Sequence, residues 1–112
     1  GMDTQVYALQ TLKNSFAMTT DRLDREHVTR HILLHPEKFS KIHMIAPHDL
    51  YWPELRLTLD EQGDYRLIKN IIEYFGPANP FFHLGEVISL LKNVHPEWCE
   101  LNKTVRQKTA NE

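Results

Sequence analysis

The stretch Pro53-Glu54-Leu55-Arg56-Leu57-Thr58-Leu59-Asp60, running into Glu61-Gln62-Gly63-Asp64-Tyr65-Arg66-Leu67-Ile68-Lys69, changes its hydrophobic period halfway along. Up to Asp60 the apolar residues alternate: Leu55, Leu57 and Leu59 face one way, Arg56 and Thr58 the other. That period of two predicts a half-buried strand over Pro53 to Asp60. From Glu61 the period is helical, with Leu67, Ile68, Ile71, Ile72 and Phe75 at steps of one, three and four. Gly76-Pro77 then stops the helix, in the order of a left-handed cap followed by a breaker.

Working outward, Gln5 to Leu9 reads as a short strand passing into a helix that carries Leu9, Leu12 and Phe16. Thr19-Thr20-Asp21 is a cap cluster. Beyond it Leu23, Val28, Ile32 and Leu33 fall on one helical face, ended by His35-Pro36. Lys41 to Ala46 places Ile42, Met44 and Ala46 on one side of a third strand. After Asn79-Pro80 a second amphipathic helix carries Leu84, Val87, Ile88, Leu91 and Val94 as far as His95-Pro96, and a turn through Trp98 and Leu101 completes the fold. The expectation is an α/β fold, with an α+β arrangement as the alternative, built from about three short strands and four helices. One domain spans residues 3–101, and residues 102–112 form a flexible tail with little to bury.

Composition narrows the function. At 112 residues and 41% hydrophobic the chain can bury a modest core. Thirteen basic against fifteen acidic residues give a net charge of -2, which offers no field for nucleic acid. Cys99 is the sole cysteine, so no internal disulfide forms, in keeping with a reducing cytoplasm. No apolar run approaches the ~20 residues of a membrane span. The expectation is a cytoplasmic protein without a membrane or nucleic-acid partner.

A second phrase, Asp24-Arg25-Glu26-His27-Val28-Thr29, stands a helix and a strand before the first. Together the two phrases resemble the second half of the spore-coat-polysaccharide-type and acylneuraminate cytidylyltransferases, over about Asp3 to about Leu101. The resemblance implies the C-terminal portion of a nucleotide-diphospho-sugar transferase fold. The implied reaction is CTP plus a sugar acid giving a CMP-sugar and pyrophosphate, by positioning and charge neutralisation. It further implies that Asp60 is a Mg²⁺ ligand near the nucleotide phosphates and that Asp3, in Asp3-Thr4-Gln5-Val6, contributes to the same ion. Arg25, Glu26 and His27 would then address the acid sugar, Arg25 through paired hydrogen bonds to its carboxylate.

Plainer roles stand beside these. Asp60 is also placed to cap the following helix. Asp24, Arg25 and Glu26 also suit a solvated helix N-terminus. His27, His31 and His35 recur every four residues, yet no specific zinc spacing accompanies them. Tyr51-Trp52 and Phe81-Phe82 lie beside prolines, as loop residues folded onto a core do.

The Arg-rich loop with which that family holds CTP has no counterpart here, and Gly1, Gly63, Gly76 and Gly85 make no phosphate loop. Gly1 ahead of Met2 reads as a residue left from expression; if Met2 is the natural start, the nucleotide half was never in this polypeptide. The expected function is therefore a partial cytidylyltransferase-like domain of CMP-sugar synthesis for surface polysaccharide, inactive alone. Its expected partner is a separate nucleotide-binding half or a second copy. The alternative is a non-catalytic binding or dimerisation module of the same descent.

Overall fold

The computed structural model describes residues 4–106, which divide into two compact units, Thr4–Met44 and Ile45–Arg106. In the first unit, α1 (Leu9–Met18), α2 (Arg22–Glu26) and α3 (Arg30–Leu34) follow one another through short turns. In the second, α4 (Gln62–Phe75) and α5 (Leu84–Ser89) are followed by a π-helical turn over Leu90–Val94 and a 3₁₀ turn over Pro96–Leu101.

The expected strands are corrected by the structure: among the described residues there is no β-strand and no sheet, so the fold is neither α/β nor α+β but helical with extended connections. The segments Gln5 to Ala8, Lys41 to Ala46 and Leu55 to Leu59 lie in irregular backbone without a ladder. Alternation reports which side of an extended segment meets a core; it says nothing of a neighbour to pair with. Leu55 and Leu57 pack on the core of the second unit, but Leu59, expected on the same face, is 63% exposed, and Arg56 and Thr58, expected on the open face, are half-buried. Instead of a neighbouring strand, the Asn102 side-chain amide donates to the Arg56 carbonyl at 3.0 Å.

That core consists of Leu67 and Ile71 from α4, Val87 from α5, and Leu90 and Leu91 from the π-helical turn. The wider turn closes with the His95 amide donating to the Leu90 carbonyl at 2.9 Å. Both Leu90 and Leu91 are buried. Each fully buried Leu or Ile stabilises the fold by about 1.5–3 kcal/mol. Trp52, Phe75, Phe82 and Trp98 close over the cluster, Phe82 stacking on Phe75 at 4.6 Å between centroids. Phe81 points out and is 91% exposed, and Ile72 and Val94, expected on the buried stripes, are half-exposed.

Helix ends follow local chemistry. The helical face expected to run unbroken from Leu23 to Leu33 breaks at His27-Val28-Thr29, where the Arg30 amide donates to the His27 carbonyl at 2.8 Å. Gly76 ends α4 at φ -12°, ψ -90° rather than in the left-handed region, its amide donating to the Ile72 carbonyl at 2.7 Å. A Cβ there would stand 2.8 Å from that same oxygen, which explains the glycine without any positive φ.

Candidate functional site

Each of the two phrases folds around one carboxylate. In the second unit that carboxylate is Asp64, on the first turn of α4, and its side chain is wholly buried. Arg56 donates to it from Nε to Oδ1 and from Nη2 to Oδ2, 2.9 Å each. Asn102 Nδ2 donates to Oδ1 at 2.8 Å, and the amides of Asp60 and Glu61 donate to Oδ2 at 3.1 Å. Glu61, not Asp60, is the N-cap of α4, and with Asp64 it forms a reciprocal capping box. The Arg56 guanidinium, followed by Asn102 and the two amides, holds the Asp64 carboxyl far below the usual carboxylate range despite its burial. Asp64 in turn raises the pKa of Arg56.

Close approach is what lets Asn102 arrive. A Cβ on Gly63 would lie 2.3 Å from the Leu101 carbonyl oxygen and 3.2 Å from the Asn102 Cα, so only glycine lets the start of α4 meet the end of the 3₁₀ turn. Asn102, the first residue of the expected tail, is buried.

Asp60 sits at the bend between the extended segment and α4, its side chain 44% exposed and its Oδ2 accepting from Arg56 Nη2 at 2.8 Å. Arg56 thus bridges a buried and an exposed carboxylate. A divalent ion at Asp60 would find one protein carboxylate whose charge the guanidinium already shares, and among the described residues no three ligating side chains converge. These residues do not by themselves make a Mg²⁺ site. Asp3 lies outside the described residues. Thr58, two positions before Asp60, has its hydroxyl buried without a hydrogen-bond partner.

A concavity of about 300 Å³ is lined by Arg56 together with Trp52, Leu55, Cys99, Asn102 and Val105 among others. Burial, then the neighbouring Glu100, pushes the Cys99 thiol up, so it stays protonated at neutral pH.

In the first unit the hub is Asp24. It accepts from the Thr19 hydroxyl at 2.6 Å and from Arg30 Nη1 at 2.5 Å, with His31 Nδ1 3.4 Å away. The Thr19 hydroxyl, then Arg30, lowers its pKa. Arg25 folds back on α1: Nη2 donates to the carbonyls of Phe16 at 3.0 Å and Thr19 at 2.6 Å, and the guanidinium lies 3.5 Å from the centre of the Phe16 ring. Glu26 ends α2, His27 caps it, and both are exposed. Of the histidine series, His31 is buried with its Nε2 unpartnered, His35 pairs with Glu37 at 2.9 Å, and their ring centroids lie 4.3 Å apart. Arg25, Glu26 and His27 therefore belong to one unit and Asp60 to the other.

Sequence reasoning did not single out Asp64, Asn102, Arg30 or Thr58. For Asp64 a signal existed: it stands four residues after Asp60 and eight after Arg56, inside the quoted phrase. Nothing in the sequence tied Asn102, 46 residues from Arg56, to the same hub.

No family model matches this chain, and no solved structure matches it. It is similar to the uncharacterized protein MJ1063 of Methanocaldococcus jannaschii, 27% identical over 112 residues, the whole of this chain and 45% of that protein. It is also similar to the spore coat polysaccharide biosynthesis protein SpsF of Bacillus subtilis, 36% identical over 73 residues, 65% of this chain and 30% of that protein. The chain thus spans less than half the length of these curated relatives. The similarity to SpsF, a protein of spore coat polysaccharide biosynthesis, is partial. Among the described residues no helix is long and apolar enough to cross a membrane.

Proposed function

We propose that this chain is a portion of a cytidylyltransferase-like protein that makes a CMP-sugar for surface polysaccharide, contributing the acid-sugar side and silent toward CTP by itself. The observation that carries this reading is the presentation of Asp60: Arg56, anchored on buried Asp64, holds an exposed carboxylate at the turn into α4. The partial similarity to SpsF supports it. In the assembled protein Asp60 would bring one carboxylate to a Mg²⁺ whose other ligands come from outside the described residues. Arg25, whose Nη2 is engaged by Phe16 and Thr19, would turn its other guanidinium nitrogens to a sugar carboxylate beside Glu26 and His27.

A second reading, a binding or dimerisation module, is favoured by the outward apolar side chains Ile42, Met44 and Phe81, each more than 90% exposed. One experiment separates the two. Labelled protein is titrated with CTP and Mg²⁺, with and without a keto-sugar acid, and amide shifts are followed by NMR. Shifts confined to Arg25 to His27 and Asp60 to Glu61 in the presence of the sugar acid are expected, and a silent spectrum transfers the chain to the second reading.

A further inference from the structure

His31 and His35 stand four residues apart, one on α3 and the other as its C-cap, with ring centroids 4.3 Å from each other. Each ring has a carboxylate at its Nδ1. Asp24 Oδ2 lies 3.4 Å from that atom of His31, and Glu37 Oε1 lies 2.9 Å from that of His35. An ionised carboxylate only accepts, so in each neutral ring the proton sits on Nδ1 and the lone pair on Nε2.

The two Nε2 atoms are left over. That of His31 is shut away from solvent without a hydrogen-bond partner, on a side chain 8% exposed. A buried acceptor that meets no donor is uncommon in a folded protein and costly to keep. That of His35 bonds to no described residue, and its side chain is 36% exposed. A spacing of i to i+4 brings two imidazoles to one side of a helix, within reach of one ion. A carboxylate on the far nitrogen is the arrangement found behind metal-bound histidines, where it fixes the tautomer and raises the basicity of the ligating nitrogen. Here it occurs twice, on neighbouring rings.

We propose that His31 and His35 bind one first-row divalent transition ion of the Zn²⁺ class through their two Nε2 atoms. Imidazole suits such ions, whereas Mg²⁺ prefers oxygen. Among the described residues no group of three ligating side chains forms, so water fills the remaining positions and the ion is exchangeable rather than caged. His31 is the fixed ligand, its ring held by Asp24 and by the edge-on ring of Phe39 at 6.1 Å between centroids. His35 is the movable one, since its more exposed ring can swing to admit the ion. The site lies wholly within the first unit and is independent of Asp60 and of any cytidylyl transfer.

The test titrates the full chain with Zn²⁺, by calorimetry and by NMR of labelled imidazoles. One ion per chain is expected, with the Nε2 signals of His31 and His35 moving while their Nδ1 protons stay in place. His31→Gln and His35→Gln should each weaken binding roughly tenfold or more, and Glu37→Gln, which removes only the carboxylate behind His35, about tenfold. His48→Gln, an exposed histidine of the other unit, should leave binding unchanged. A tenfold excess of Mg²⁺ over Zn²⁺, roughly, should not compete. Circular dichroism checks each variant for intact helices, and His35→Gln, at the more exposed position, keeps the test decisive if His31→Gln fails to fold. Absence of Zn²⁺ binding, an affinity indifferent to His35→Gln, signal changes spread over all seven histidines, or coordination at Nδ1 would each overturn the proposal. Because the readout is Zn²⁺ binding without nucleotide, a chain silent toward CTP leaves the site standing.

Discussion

Arg56 grips Asp64 through two parallel hydrogen bonds, 2.9 Å each, across the turn that leads from the extended segment into α4. The geometry is that of a bidentate guanidinium–carboxylate pair, with the carboxylate wholly buried and the arginine side chain 11% exposed. A pair of this kind is costly to break from one side because the survivor keeps a buried charge.

Arg56→Ala is therefore expected to destabilise the second unit by about 3–5 kcal/mol, measured by urea unfolding. Replacing both partners, as Arg56→Met with Asp64→Leu, should recover only part of that loss: no unpaired charge remains, but Asn102 and the amides of Asp60 and Glu61 lose their acceptor. Additive losses in this double-mutant cycle would show that the pair is not coupled.

Asp64 ionises far more readily in the folded chain than the ordinary carboxylate pKa of about 4 would allow, chiefly through Arg56. Its contribution to stability is complete above that unfolded value and is lost progressively as pH falls below it. The urea midpoint should hardly respond to this group between pH 5 and 7. Below about pH 4 stability should fall with a slope of up to about 1.4 kcal/mol per pH unit for this one proton. Asp64→Asn should flatten that acid limb, although Asp24, whose pKa is also lowered, keeps part of it.

Gly63→Ala would normally favour a helix by about 1 kcal/mol. Here the added methyl would stand 2.3 Å from the Leu101 carbonyl, a backbone atom that cannot swing aside. The expected result is net destabilisation of about 1–3 kcal/mol. Calorimetry should show a lowered melting temperature, and the Asn102 amide signals should move as the contact opens.

Asn102→Ala removes the donor to Asp64 and to the Arg56 carbonyl, both inside the second unit. Leaving those acceptors short of a partner should cost about 1–3 kcal/mol. A chain truncated before Asn102 should lose at least as much, whereas truncation after Arg106 tests the remaining tail alone.

Cys99, with its thiol pushed up by burial, should react with a thiol-exchange reagent at pH 8 more slowly than an exposed cysteine. Unfolding in urea should restore the ordinary rate. Equal rates in native and unfolded chains would contradict the geometry around Trp52 and Cys99.

The sequence by itself determined the helix of residues 62–75, the stop at Gly76, the amphipathic stretch from Leu84 onward and the inward face of Leu55 and Leu57. Those features are local, set by period, caps and breakers acting over a few residues. Tertiary structure decided what local pattern cannot carry. The extended segments find no strand to pair with among the described residues, so their alternation yields an apolar side without a sheet. Asp64 became the buried hub and Asp60 its exposed neighbour because Asn102 and Arg56 converge on one of two similar carboxylates. The α1 face containing Leu9 and Phe16 turned outward because Ser15 took the inward position. Pairing across 46 residues and the choice of buried face both depend on which surfaces meet, and only the folded chain brings them together.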